Sequence, residues 1–285
     1  MNNLKDKIRY KYRTANIVEQ IIYINIGIYI VSLLFKLISF LFASKVNYLY
    51  RWFSLPSPFE SFLYKPWTLV TYGFLHADLF HILFNLLILY YMGRLFLDFF
   101  SRRDFLIYFF SGIIIGGILY LASYNLFPAL QSGRAYLLGA SAGVMAILIG
   151  LAAKIPNYAI RFRFIGYIKL WYIAVAFVLI DLIQIPISNT GGHIAHLGGA
   201  LTGYLLTTQF TTASRKNNWL INLFGKKKKS PLKTVYKKRT ATQSKSSTGN
   251  NQQERIDAIL DKISKSGYGS LSQDEKDFLF SVGKK

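Results

Sequence analysis

Hydrophobic and polar positions divide the chain into long apolar runs separated by short polar joints. The runs cover about residues 21–42, 78–98, 105–125, 140–156, 168–187 and 193–210. Several approach the roughly 20 residues that a helix needs to cross a bilayer, and the fourth and sixth are short. The short runs are rich in glycine and alanine, which suits helices packed inside a bundle rather than facing lipid. The pattern predicts an all-α polytopic membrane protein with six transmembrane helices over residues 20–210. Leu41-Phe42-Ala43-Ser44-Lys45 makes a poor cleavage site, so the first run reads as a helix rather than a signal peptide. Residues 44–76 form a long connection with Trp52, Trp67 and three prolines, a composition that suits an interfacial loop.

The flanks are polar. Residues 1–19 form a basic arm with Lys5, Lys7, Arg9, Lys11 and Arg13. Residues 211–250 are basic and rich in Ser, Thr, Asn and Lys, and read as a disordered linker. Over 251–285, Ile256, Ile259, Leu260 and Ile263 keep helical spacing and Gly267 suits a helix stop. Ser272-Gln273-Asp274-Glu275 is a capping box that opens a second helix with Phe278, Leu279 and Val282, so this end reads as a small helical hairpin. Among the joints between apolar runs, Arg102, Arg103, Lys154, Arg161, Arg163 and Lys169 make every second one basic, like the arm and the tail. The positive-inside rule then puts both termini in the cytoplasm.

Composition agrees with the membrane reading: 52% of the 285 residues are hydrophobic, and the formal charge of +21 is concentrated outside the apolar runs. Lys226 to Lys229 beside a membrane would attract anionic lipids. Aromatic interleaving in the basic stretches is sparse and no nucleic-acid motif is present, so nucleic acid is not an expected partner. The chain has no cysteine, which excludes a disulfide framework and thiolate chemistry.

With this topology, helices two, four and six all begin on the outer side. His76, His81 and Asn85 fall at the start of the second, Ser141 at the start of the fourth, and His193 and His196 at the start of the sixth. All four histidines thus share one end of the bundle with a serine set between Gly139 and Gly143. Gly-x-Ser-x-Gly alone is weak, and in a membrane helix it otherwise reads as a small-residue packing face. A serine hydroxyl needs a base to become a nucleophile, and histidine is the usual one. His196 precedes Gly199 and Gly203, a Gly-x-x-x-Gly pair that lets another helix come close. The glycine-rich start of the fourth helix is the natural partner, which would bring Ser141 within reach of His196. His81 and Asn85 share a helix face and carry donors of the kind an oxyanion hole requires. The alternative for both is hydrogen bonding between helices. A zinc site from the four histidines lacks His-Glu-x-x-His and a nearby carboxylate ligand, so no metal is expected.

His76-x4-His81-x3-Asn85, Gly139-x-Ser141 and Ala195-His196-x2-Gly199-x3-Gly203, in this order, resemble the rhomboid intramembrane serine proteases. The resemblance spans about residues 20–210. It implies a catalytic Ser141–His196 dyad, with His81, Asn85 and the backbone N–H of Ser141 holding the oxyanion. It further implies transmembrane protein substrates, no metal or organic cofactor, and a multi-pass protein of the cell membrane. No organelle-targeting segment is visible, which fits a bacterial plasma membrane. Inactive relatives supply the alternative, a membrane protein that binds transmembrane helices without cutting them.

The chain departs from the family pattern in places. Trp67-Thr68 stands where many members have Trp-Arg, which puts the usual anchoring of the first loop in doubt. Ala142 replaces a glycine after the serine, and Met145 replaces an aromatic residue. His193 matches no required position and reads as a structural rim residue. Asp181, within the fifth run, reads as a hydrogen-bonded or water-contacting carboxylate, with orientation of His196 as the alternative.

Overall fold

The computed structural model describes residues 4–44, 47–131, 133–163, 165–212 and 250–282. The chain divides into two compact units, residues 1–225 and 226–285.

The first unit is mainly helical. In chain order its helices are α1 (Leu4–Thr14), α2 (Ile17–Leu41), α3 (Tyr48–Phe53), α4 (Phe59–Leu63), α5 (Thr68–Thr71), α6 (Leu79–Phe99), α7 (Arg102–Leu126), α8 (Pro128–Gln131), α9 (Ser141–Lys154), α10 (Leu170–Gln184) and α11 (Thr190–Thr212). Among the described residues, α2, α6 and α7 are long and apolar enough to cross a membrane, and α9 and α10 are shorter apolar helices. The protein is thus an integral membrane protein by the length and composition of its helices. Their starts follow local chemistry. Asn16 and Glu19 form a capping box on α2, Ser101 and Asp104 one on α7, and the Asp78 carboxylate accepts from His81 N–H at the start of α6.

Several expectations need correction. The basic arm carries α1, and α2 begins at Ile17, four residues before the apolar run was expected to start. The sixth run is not short, because α11 has 23 residues; the fifth is the shorter one, because α10 has only 15. Residues expected to open the fifth helix belong instead to a hairpin, β3 (Ala159–Phe162) paired antiparallel with β4 (Gly166–Lys169). Its alternation of β-branched or aromatic residues with polar ones favours strands over helix. A second ribbon pairs β1 (Leu55–Pro56) with β2 (Tyr136–Leu137). Leu55 and Ser57 each precede a proline, which disfavours helical backbone and keeps this part of the loop extended. The described residues are thus mostly helical, as the all-α reading expected, with two small ribbons added.

The core is built where α7, α9 and α11 meet, with α6 against α9. Helix α9 is buried from Ala142 to Ala152, whereas α10 buries only Leu170, Ala174 and Asp181. Small residues set the spacing. A Cβ at Gly199 would overlap the Ala142 carbonyl and one at Gly203 the Ala146 carbonyl, so the expected pair on α11 does lie against α9. Gly143 faces the other way, against Phe109 of α7. Helix α7 contributes its own pair, which the sequence reading missed. A Cβ at Gly112 would come within 2.6 Å of Ala146 Cβ, and one at Gly116 within 2.7 Å of the Ala195 carbonyl oxygen. Ala142 fits in place of glycine because Gly116 and Gly199 lie opposite it.

In the second unit, Asn250–Ser266 and Gln273–Val282 are helices. Gly267 has φ +76° at the stop of the first, and Ser272 N–H donates to Glu275 at 2.7 Å in the capping box. Ile259 and Leu271 are buried within it, and Lys262 pairs with Glu275 at 2.9 Å. Most of the expected linker, residues 213–249 with Lys226 to Lys229, lies outside the described residues.

Candidate active site

The loop between α2 and α6 is held by its own side chains. Trp67 stacks on Trp52, with ring centroids 6.2 Å apart and planes 10° from parallel. Trp67 also donates Nε1–H to the Trp52 carbonyl at 2.9 Å. Thr68 is buried and its hydroxyl donates to the Lys65 carbonyl at 2.6 Å, while Thr71 reaches the Phe53 carbonyl at 2.7 Å. The loop around Thr68 is thus held by a tryptophan pair and two threonine hydroxyls.

This loop positions the segment that carries Ser141. The β1–β2 ribbon ties Leu55 to Leu137, and Gly139 N–H donates to the Tyr72 carbonyl at 3.0 Å. Gly139 has φ +125°, a conformation that favours glycine, and a Cβ there would lie 2.7 Å from His81 Nε2. Ala140 precedes the helix and Ser141 is its first residue, so the serine sits where backbone N–H groups have no partner inside the helix.

Four predicted side chains meet here. Ser141 Oγ and His196 Nε2 are 2.6 Å apart. His81 Nδ1 accepts a long hydrogen bond from Ala77 N–H at 3.4 Å, which leaves Nε2 as the donor, on the Gly139 side of the ring. Asn85 Nδ2 donates one hydrogen to the His81 carbonyl at 2.9 Å and has a second to give. Ser141, His196, His81 and Asn85 all line one cavity of about 660 Å³, together with Tyr120, Tyr124, Tyr136 and the Asn189–Gly192 turn.

His76 lies behind this group, in the loop outside the spanning helices. It is buried, its ring meets that of His81 edge-on at 5.0 Å, and Tyr50 O–H donates to its carbonyl at 2.7 Å. Burial first, then the neighbouring His81, push its pKa down to about 3, so the ring is neutral, and its Nε2 accepts a long hydrogen bond from Ala140 N–H at 3.5 Å.

Asp181 and His193 meet beside His196. Asp181 is buried, and its Oδ1 lies 2.7 Å from His193 Nδ1 and 2.8 Å from His196 Nδ1. His193 is half-buried and shares the buried Asp181 carboxylate with His196. A carboxylate does stand near two histidines, contrary to the reason given for excluding zinc. Asp181, His193 and His196 offer ligand atoms within 4.8 Å of one another. The separations of 2.7 and 2.8 Å are nevertheless those of hydrogen bonds. Two ligands on one tetrahedral zinc stand about 3.3 Å apart, given bonds of roughly 2.0–2.1 Å. The sequence carried no signal for the cluster beyond one acid inside an apolar run.

Comparison with known families gives two matches. A Rhomboid domain model matches residues 64–212, just over half of the chain. A family of unknown function matches residues 246–284, which cover the helical hairpin. No curated protein matches the chain.

Proposed function

The chain belongs to the rhomboid family, and from that premise we propose that it is a serine endopeptidase that cuts membrane-protein substrates in or near their transmembrane segments. The observation that carries this reading is the 2.6 Å approach of Ser141 Oγ to His196 Nε2 inside an open cavity. Ser141 Oγ attacks the scissile carbonyl as His196 Nε2 takes its proton. The carbonyl oxygen becomes an oxyanion, held by His81 Nε2–H, the free Asn85 N–H and the Ser141 backbone N–H. His196 returns the proton to the leaving amine, and the acyl group stays on Ser141. Water then attacks that ester with His196 again as base, releasing the new carboxyl end and the free serine.

Helices α2, α6, α7, α9, α10 and α11 act as six spans with both termini in the cytoplasm. The short α9 lies inside the ring of the others, so its burial compensates for its length. Residues 1–19 serve as a cytoplasmic arm, and residues 211–250 as a basic linker that meets anionic lipid before the hairpin at 251–285. A bacterial plasma membrane suits this layout. No metal or organic cofactor enters the reaction. Purified protein in liposomes should cut a single-span substrate, and Ser141→Ala or His196→Ala should abolish cutting without unfolding it. Loss of cutting in neither variant would refute the assignment.

A further inference from the structure

The mechanism above leaves one buried acid unused. Helix α10 presents mostly exposed apolar residues, and from Val175 to Gln184 only Asp181 is fully buried. Its side chain is 5% exposed, and both His193 and His196 point their Nδ1 atoms at one of its oxygens. An isolated carboxylate in a membrane interior is costly, and two converging N–H donors are the means by which this one is tolerated.

We propose that Asp181 is a positioning residue for His196, extending the serine–histidine pair into a Ser141–His196–Asp181 relay, with His193 holding the carboxylate in register. The inference rests on the protease reading for its functional meaning, but its geometry stands separately. A carboxylate oxygen accepts and does not donate, so the bond at 2.8 Å places the ring proton of His196 on Nδ1. Nε2 is then left with its lone pair towards Ser141 Oγ, the tautomer that can take the serine proton. When it does so, the imidazolium faces a negative charge at hydrogen-bond distance, which stabilises the charged intermediate. His193 donates to the same oxygen at 2.7 Å from three residues earlier on α11, so the carboxylate cannot turn without breaking a second bond. The His193 ring also meets the His196 ring edge-on, with centroids 5.7 Å apart, and His81 of α6 lines the same cavity.

The test uses the full chain in liposomes, with Asp181→Asn and Asp181→Glu beside wild type. The readouts are cleavage of a single-span substrate, Ser141 labelling by a fluorophosphonate, and the ring-nitrogen NMR spectrum of 15N-histidine protein. The expected result is a fall in kcat of about a hundredfold or more for Asp181→Asn, with KM within threefold of wild type. Labelling should slow in proportion, and Asp181→Glu should recover part of the loss. In wild type, His196 should carry its proton on Nδ1, and Asp181→Asn, whose amide can donate as well as accept, should lose that single tautomer. Retention of kcat and labelling within threefold in Asp181→Asn, or a wild-type His196 protonated at Nε2 alone, would overturn the proposal. If wild type neither cuts nor labels but shows the Nδ1 proton that Asp181→Asn disturbs, the positioning inference stands and the protease reading falls. If Asp181→Asn does not fold, the wild-type nitrogen spectrum decides by itself.

Discussion

Gly116 touches neither Ser141 nor His196, yet it lies between their neighbours. A Cβ there would come 2.7 Å from the Ala195 carbonyl oxygen and 2.8 Å from Ala142 Cβ. Ordinary carbon contacts lie at about 3.5–4.0 Å, so Gly116→Ala falls short by roughly 0.7–1.3 Å on both sides at once. The atoms it meets are backbone and a methyl group, neither of which can swing aside. Helices α9 and α11 must therefore spread from α7, with a packing cost of about 1–3 kcal/mol. The same spreading separates the residue after Ala195 from the residue before Ala142. A shift of that size stretches the 2.6 Å Ser141–His196 contact beyond hydrogen-bond range. Misplacement of reacting groups by about 1 Å costs on the order of a hundredfold in rate. Gly116→Ala should thus lower kcat by about that factor, shift KM little, and reduce the thermal midpoint in detergent by several degrees. Gly27→Ala in α2, where a Cβ meets nothing within 4 Å, is the matched control and should leave both quantities unchanged or slightly improve the midpoint. If Gly116→Ala kept kcat within threefold of wild type, the claim that small residues of α7 set the Ser141–His196 spacing would be wrong.

Three further outcomes are expected. Asn85→Ala should reduce kcat by about 10²–10³ in the cleavage assay while fluorophosphonate-accessible, folded protein remains, because one oxyanion donor is lost. His76 is held neutral with its pKa lowered to about 3, so the unfolded chain binds more protons below pH 6.5. Its contribution to stability is full above pH 6.5 and falls, by up to about 1.4 kcal/mol per pH unit, as pH drops towards 3. Thermal midpoints at pH 7 and pH 5 should accordingly differ less for His76→Phe than for wild type. Truncation after Thr212 should leave cleavage of a single-span substrate in liposomes within twofold, since all residues assigned to the reaction precede it; a large loss would instead favour a tail-dependent tether.

The helical runs were legible because apolar length is a strong signal, and Asn16, Asp78 and Ser101 mark helix starts with side chains that cap them. Ser141 and His196 were legible as a pair because the glycines beside them state which helices come close. The α7 glycines were not, since Gly112 and Gly116 look like ordinary small residues until their partners Ala142, Ala146 and Ala195 are in space. The β1–β2 ribbon was not legible, since residues 44–76 read as a loop and the partner Tyr136–Leu137 lies about 80 residues from Leu55. The β3–β4 hairpin was hidden because most of it read only as a basic joint between two apolar runs. Asp181 was visible as a costly residue, but its two histidine partners depend on how α10 sits against α11, a tertiary fact that periodicity does not contain.

The most direct measurement is activity-based labelling of the full chain in liposomes with a fluorophosphonate, followed by mapping of the modified residue, beside cleavage of single-span substrates. Wild type should cut and carry the label on Ser141, and His196→Ala should be folded, unlabelled and inactive. Failure of wild type to cut several substrates, together with an unlabelled Ser141 in folded protein, would contradict the protease reading and leave a membrane protein that binds transmembrane helices without cutting them.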